Sequence, residues 1–465
     1  MRESLLEPDW GDVLAPAINA NGAARDRLSR AAQSGFLVTT GQQPGLFGGP
    51  LYTWWKALSV AALADRLEKQ LGIPVAPVFW AATDDSDFAE ASHTIVAIGG
   101  SAERIEIHAE STDGKTLAEI PVGDISSQLG RLAVAAGSAP NSQVLELVRE
   151  AYARGNTLGS AYLSLLRSLL EPMGIAVIDA SHQAVRRAAF PLMRRALEES
   201  QAIEDALEKR SSELKAAGHS AQVKPVKGRS LVFNHDSGSR DRVRIKDVDS
   251  VLERISETSL SPNVLLRPIV ERSILPTIAY MGGPAEVSYF AQVTAVANAL
   301  QVPAPLVLPR WSGVVVEPRI QRILERYSLS VEDFRDPHAV ETRMARASLP
   351  DAIRQEVQSL SQELNEGTAR LATADGADLV PPSVVDGLKR NIAHRLSRLE
   401  RRYAAAVKNR GNESLHDAAI ARASLFPFGI PQERALNAIP LIARHGELLF
   451  TSVMEEARKH AAKLA

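Results

Sequence analysis

The sequence predicts an α/β fold: a doubly wound domain built on a parallel sheet, followed by an antiparallel coiled-coil hairpin of helices. Three observations lead there. Short apolar runs alternate with helical stretches between about residues 35 and 334. A glycine-rich turn directly follows the first run, where such a sheet would carry its ligand site. Beyond residue 335 the apolar residues recur at spacings near three and four, the period of helices packed along a seam. A chain of 465 residues also exceeds the size at which one core keeps growing, so more than one part is expected.

The first run, Phe36-Leu37-Val38, leads through Thr40–Pro50 into a helical pattern from Tyr52 to Gln70 and a second run from Pro74 to Ala82. That is a β-α-β unit, whose crossover is long enough for parallel pairing and right-handed by rule. Further strand candidates are Arg104–Ile107, Ala176–Asp179, Ser230–Phe233 and Ala304–Leu308, with helical stretches from Ala161 to Glu171 and Ala184 to Lys215 between them. Residues 219–247 are polar and rich in Lys, Arg, Gly and Ser, and are expected to form a small β insertion.

In the next part, 335–410, Ile353, Val357, Leu360, Leu364 and Leu371 form one seam and Leu388, Ile392, Leu396, Leu399 and Tyr403 another. The second arm, Ser383 to Asn409, would be about 40 Å long at about 1.5 Å per residue. Arg390, Arg395, Arg398, Arg401 and Arg402 surround its seam, as a solvated face or as a contact surface. The last part, 411–465, contains a turn-rich stretch around Leu425–Arg434 and a helix from about Leu436 that is expected to pack back on the body.

Composition narrows the function classes. Hydrophobic residues make up 45% and charged residues 23%, ordinary for a globular chain. A net charge of −2 and a pI near 6.6 offer no general basic field, which disfavours nucleic acid as the main partner. The absence of cysteine excludes disulfides, thiolate metal sites and a thiol nucleophile. No basic start followed by an apolar stretch is present at the N-terminus, where Glu3, Glu7, Asp9 and Asp12 fall early, and no apolar run approaches the roughly 20 residues that span a bilayer. No membrane is expected, and a cytoplasmic location is the default.

The residues that could carry chemistry follow strands. Gly41, Gly45, Gly48 and Gly49 leave backbone N–H groups unobstructed and lead into a helix N-terminus, where an anionic group could rest; the same glycines also suit a tight corner that needs φ > 0. After the second run come Asp84, Asp85 and Asp87, then Glu90 and His93. Three aspartates within four residues repel one another unless a cation lies among them, so they are candidates to bind an amino group, hold Mg²⁺ or accept a proton. Asp84 or Asp85 could equally cap the next helix, and His93 could serve as a structural hydrogen-bonding residue or as a base. Further on, Gly282-Gly283 opens another helix carrying Glu286, Tyr289 and Gln292, and Glu286 in its first turn is favourable there with or without a ligand. Two glycine-opened helix starts outline one pocket.

Taken together, Thr40–Tyr52 with Lys56, Pro74–Trp80 running into Asp85, Asp87-Phe88 and Glu90, Arg267-Pro268, Leu275–Tyr280, Gly282–Glu286, Tyr289–Gln292, Leu425-Phe426-Pro427 and Pro431–Arg434 resemble the cysteine ligases that complete bacillithiol biosynthesis. The match runs in order from about residue 35 to the C-terminus. It implies a Rossmann-like core related to adenylate-forming enzymes, small insertions, a long coiled coil and a homodimer. The implied reaction joins L-cysteine to the amine of glucosaminyl-malate, driven by ATP, so ATP or ADP is the expected nucleotide, with Mg²⁺ a candidate from the aspartates alone. Three positions depart from the family pattern, the first being Asp84, where the family tends to have glutamate. Ser86 stands where the family has a histidine, which shifts weight to the carboxylates and His93, and His219 stands where a tyrosine is usual.

On this reading Asp85, Asp87 and His93 are the catalytic candidates. The turn from Gly41 to Gly49, with Thr40, would hold an anionic part of a substrate; Asp85 and Asp87, with Asp84 beside them, would orient an ammonium. Gln42, Gln43, Tyr52, Tyr289 and Gln292 would supply neutral hydrogen bonds, and Arg267 and Arg310 would face malate or phosphate. Gln432, Arg434 and Asn437 form a candidate nucleotide surface, or simply a helix cap. Two rivals to the ligase reading are a nucleotidyl transferase and a coiled-coil assembly protein that binds nucleotide without turnover.

Overall fold

The computed structural model describes residues 9–235, 240–336, 340, 343–344, 349–410 and 413–464. Glu3, Glu7 and residues 236–239 of the expected insertion lie outside the described residues. The chain divides into two compact units, one formed by residues up to Val96, Arg104–Gly313 and the chain from Leu436, the other by Ala97–Glu103 and Val314–Ala435. The division falls at Gly313, earlier than residue 334. The reason lies in the helix Pro318–Arg326, whose Ile320, Ile323 and Leu324 share a core with Ala421, Leu425 and Phe426 of the second unit.

In the first unit, five strands make a wholly parallel sheet: β1 (Phe36–Gln42), β2 (Val75–Ala81), β3 (Ala176–Asp179), β4 (Thr277–Gly282) and β5 (Val307–Pro309), in the order β5-β4-β1-β2-β3. The chain adds β2 and β3 on one side of β1, then returns to add β4 and β5 on the other. The switch point is therefore the crevice beyond the carboxyl ends of β1 and β4. Gly35, just before β1, must be glycine, because a Cβ there would lie 2.0 Å from the Pro74 carbonyl oxygen.

Helix α1 (Leu51–Leu71) makes the first crossover and ends on Gly72 in the left-handed conformation. Its buried residues run almost unbroken from Leu51 to Ala64, because β1 and β2 cover one side and the C-terminal helix Glu447–Leu464 covers the other. The C-terminal helix belongs to the first unit, whereas the chain from Val314 to Ala435 belongs to the second. Helices α2 (Arg267–Ile274) and α3 (Pro284–Ala299) flank β4 in sequence.

The strand expected at Arg104–Ile107 forms instead as Ser101–Glu106, in a separate two-stranded sheet with His93–Ile98. The insertion is a three-stranded antiparallel sheet of Arg229–Asn234, Asp241–Arg244 and Leu260–Pro262, longer than the stretch that composition marks out. In the second unit, α4 (Asp351–Thr373) and α5 (Pro382–Arg410) pack along each other as the hairpin. Its seam hides little: Leu360, Leu371, Leu388 and Leu399 are each 41–53% exposed.

Candidate active site

The register of the sheet assembles the site. Strands β1 and β2 pair one to one from Phe36↔Val75 to Gln42↔Ala81, so Gln42 and Gln43 emerge beside the Thr83–Asp87 loop. On the other side β4 pairs with β1, tied by a 2.7 Å hydrogen bond from the Thr40 hydroxyl to the Met281 carbonyl. Thr40 is thereby spent on the scaffold, and Gly282-Gly283 lies next to Gly41-Gln42.

A buried charge cluster lies on this second side. Lys56, 2% exposed, donates to the Gly41 carbonyl at 2.7 Å and to Gln42 Oε1 at 3.0 Å, and forms an ion pair with Glu286. Its three ammonium protons thus have three acceptors. Glu286 also accepts from the Tyr280 hydroxyl at 2.6 Å and from the Gly283 N–H at 2.7 Å, reaching back to satisfy the backbone donor at the start of α3. Burial alone would raise the Glu286 carboxyl, but Lys56 and these donors hold it below the ordinary value. Burial pulls the Lys56 ammonium down, with Glu286 drawing the other way.

Arg267 donates to Glu271 at 3.0 Å and to the Tyr280 hydroxyl at 2.8 Å, so it is an internal cation held by its own partners. Burial raises the Glu271 carboxyl against the pull of Arg267, and it raises Tyr289 to about 12. Arg310, 6% exposed, donates to the Trp311 carbonyl and the Ser312 hydroxyl, with its guanidinium 5.9 Å from the Tyr52 ring centre.

The glycines are required by close packing. A Cβ at Gly41 would lie 2.8 Å from Arg267 Nη1, and one at Gly45 would lie 2.7 Å from the Gly49 Cα. Gly48 and Gly49 have φ of +86° and +74°. The Gly48 and Gly49 N–H groups donate to the turn's own Gly45 and Leu46 carbonyls, and Leu46, Phe47 and Gly48 are buried. A tight corner accounts for the turn, and those two amides are not directed at an anion.

The carboxylates line the other side. Asp85 Oδ2 accepts from Gln43 Nε2 at 3.2 Å, while its Oδ1 accepts from the N–H groups of Ser86 and Asp87. Asp87 caps the short helix Phe88–Ala91 through the Glu90 N–H at 3.0 Å, and His93 Nδ1 lies 2.9 Å from the Ala89 carbonyl. Asp87 and His93 therefore support the loop. Asp84 is 8% exposed; burial raises its carboxyl, with Arg240 opposing. Glu90 is raised by burial and then by Asp87 and Asp85. On this side of the site these two carboxyl groups are the ones shifted toward holding a proton.

The insertion sends residues to the same loop. Arg240 donates to the Ser86 hydroxyl at 3.2 Å and stacks on Phe233 at 3.9 Å, and His235 is lowered to about 4 by burial, Arg186 and Arg240.

Several sequence candidates stand elsewhere or are spent on the scaffold. Gln292 uses both ends of its amide on the Val223 backbone, at 3.0 and 2.7 Å. In the second unit, Gln432 binds the Val315 backbone and the Ser424 carbonyl, and Arg434 is exposed. Asn437, in the first unit, offers its Nδ2 to the carbonyls of Leu46, Phe47 and Gly49 and to Thr94 at 3.1–3.3 Å, and so clamps the glycine turn. Lys56 and Tyr280 stand in the stretches that carry the family resemblance without an assigned role, and nothing in the sequence marks Glu271 or Arg240. The visible signal for Lys56 was a lysine inside the apolar string Trp54-Trp55-Lys56-Ala57-Leu58. Among the described residues no three His, Asp or Glu side chains converge to hold a metal ion, and no helix is long and apolar enough to cross a membrane.

Known proteins agree with this architecture. The family model for the N-terminal Rossmann-like domain of the bacillithiol biosynthesis protein BshC matches residues 16–311, and the model for its C-terminal coiled-coil domain matches 313–464. A protein of Solibacter usitatus named "Putative cysteine ligase BshC" is 32% identical over 94% of this chain and 86% of its own length. One of Koribacter versatilis with the same name is 31% identical over 96% and 86%. The chain belongs to the BshC family of bacillithiol biosynthesis, with that family's Rossmann-like and coiled-coil domains.

Proposed function

We propose that this ligase forms the amide bond between the L-cysteine carboxyl and the amine of glucosaminyl-malate, with ATP as the driving co-substrate and Mg²⁺ entering on its phosphates. A free carboxylate does not condense with an amine in water, so an oxygen of the cysteine carboxylate first attacks a phosphorus of ATP and expels ADP or pyrophosphate. The amine nitrogen then forms the C–N bond as phosphate or AMP leaves, and the ammonium proton passes to a carboxylate.

The observation that carries this reading is the division of charge at the switch point: Lys56, Arg267 and Arg310, with Glu286 and Glu271 among them, lie on one side of the β1 end, and Asp84, Asp85 and Glu90, with Arg240 beside them, on the other, with the neutral Gln42-Gln43 pair between. Such a crevice suits a substrate pair that carries anionic groups at one end and an amine at the other. Asp85, with Asp84 and Glu90 on the same side, receives the amine; Lys56, Arg267 and Arg310 outnumber Glu271 and Glu286 by one positive charge, which favours phosphate and carboxylate.

The test mixes the purified protein with ATP, L-cysteine and glucosaminyl-malate, and follows the condensation product by mass together with AMP and ADP. Nucleotide consumed in step with product is expected, and Asp85→Asn should lower turnover by about 10² or more, the scale of general-base removal. Product without nucleotide consumption removes the ATP step. A folded Asp85→Asn enzyme with full activity removes the assignment of Asp85.

A further inference from the structure

A continuous hydrogen-bonded line crosses the switch point. It runs from Glu286 to Lys56, from Lys56 Nζ to Gln42 Oε1 at 3.0 Å, from Gln42 Nε2 to Gln43 Oε1 at 3.3 Å, and from Gln43 Nε2 to Asp85 Oδ2 at 3.2 Å. Its ends differ in kind. A lysine ammonium only donates and an ionised aspartate only accepts, whereas a glutamine amide does both. With Lys56 fixed against Gly41, Gln42 must turn its oxygen toward the ammonium and its NH₂ outward, to Tyr52 at 3.1 Å and to Gln43. Gln43 must then present its oxygen to Gln42 and its NH₂ to Asp85. Flipping Gln42 would set its NH₂ against the Lys56 ammonium and its oxygen against that of Gln43, and flipping Gln43 would oppose like groups at Gln42 and at Asp85.

We propose that Gln42 and Gln43 are positioning residues: a polarised relay through which the buried Lys56–Glu286 pair fixes the Asp85 carboxylate toward the reacting amine. This rests on the reading that Asp85 serves that amine. Sequence neighbours on a strand normally face opposite sides, so a tandem glutamine pair sharing one hydrogen-bonded line is possible only because β1 ends at Gln42. The Asp85 Oδ1 atom is already held by two backbone N–H groups, and Gln43 is the side chain that fixes the remaining oxygen.

The relay is tested by a double-mutant cycle on the full-length enzyme. Gln42→Glu keeps an oxygen for Lys56 but has no N–H to pass on, so it cuts the line while leaving the buried lysine paired. Gln43→Leu removes the last link. Each single variant should lower kcat about tenfold, leave the KM for ATP within twofold, and melt within a few degrees of the parent. The double variant should be no slower than the slower single one, because both cut the same line. Independent effects that multiply to about a hundredfold would overturn the relay, as would either single variant retaining parental kcat. Asp85→Asn run in parallel separates the two ideas: if it is inactive while the glutamine variants are parental, the relay alone fails, and if it is fully active the underlying reading fails.

Discussion

Replacing Lys56 by methionine removes the cation on which the second side of the site is built. Methionine ends at Cε, one atom short of the lysine Nζ, so the buried aliphatic stem is kept and the loss is mainly electrostatic. Three acceptors are stranded: the Glu286 carboxylate, the Gly41 carbonyl and Gln42 Oε1. Breaking a buried ion pair by removing one partner costs about 3–5 kcal/mol, because the other charge stays behind in low dielectric. At 2% exposure for Lys56, the loss should fall within that range, at about 4 kcal/mol. Urea unfolding followed by the fluorescence of the flanking buried Trp54 and Trp55 measures it, with the slope m checked for constancy. Adding Glu286→Gln removes the stranded charge while an amide oxygen still accepts from Tyr280 or Gly283, so the double variant should recover more than half of the loss. A Lys56→Met variant destabilised by less than about 1 kcal/mol, or a double variant no better than the single, would refute the description of a desolvated pair.

Other consequences are smaller or more local. Gly41→Ala puts a methyl 2.8 Å from a guanidinium pinned by Glu271 and Tyr280, and should cost about 1–3 kcal/mol with a fall in turnover, whereas Gly130→Ala, with open space around it in the helix Ser126–Ala136, should not destabilise; thermal melts compare the two. Asn437→Ala withdraws a donor shared by three turn carbonyls and should cost about 2 kcal/mol, and Asn437→Asp should be at least as damaging because a carboxylate cannot donate to a carbonyl; denaturant midpoints report both. His235 is lowered to about 4 from 6.5, by burial and by Arg186 and Arg240 against Glu119. Its contribution is complete above pH 6.5 and is lost as pH falls toward 4, since the unfolded chain takes up the proton first. His235→Gln should therefore lose less stability than the parent between those values in melts across pH.

The second-unit hairpin was legible because helix periodicity is local, and so was the β-α-β alternation of the core. The Asp84–Asp87 loop was placed at a strand end by the same means, since a short apolar run followed by turn residues marks where a parallel strand stops. Roles within that loop were not legible. Asp87 and Asp85 are chemically alike, and only the backbone path shows that Asp87 caps Phe88–Ala91 while Asp85 turns one oxygen to Gln43. The same holds for Gln292, Gln432 and Asn437, polar residues for which a ligand contact and a structural role are both readable in sequence, and whose partners are the backbone atoms of Val223, Val315 and the glycine turn.

What the sequence by itself determined was the order of elements, their type and the strand ends at which polar residues gather, because these follow from spacings of two to four residues. What only the tertiary structure decided was which charges meet. Lys56 finds Glu286 across 230 residues of chain and Arg240 finds Ser86 across 154. Those meetings are set by sheet order and register, and their strength comes from burial, a property that no short stretch of sequence carries.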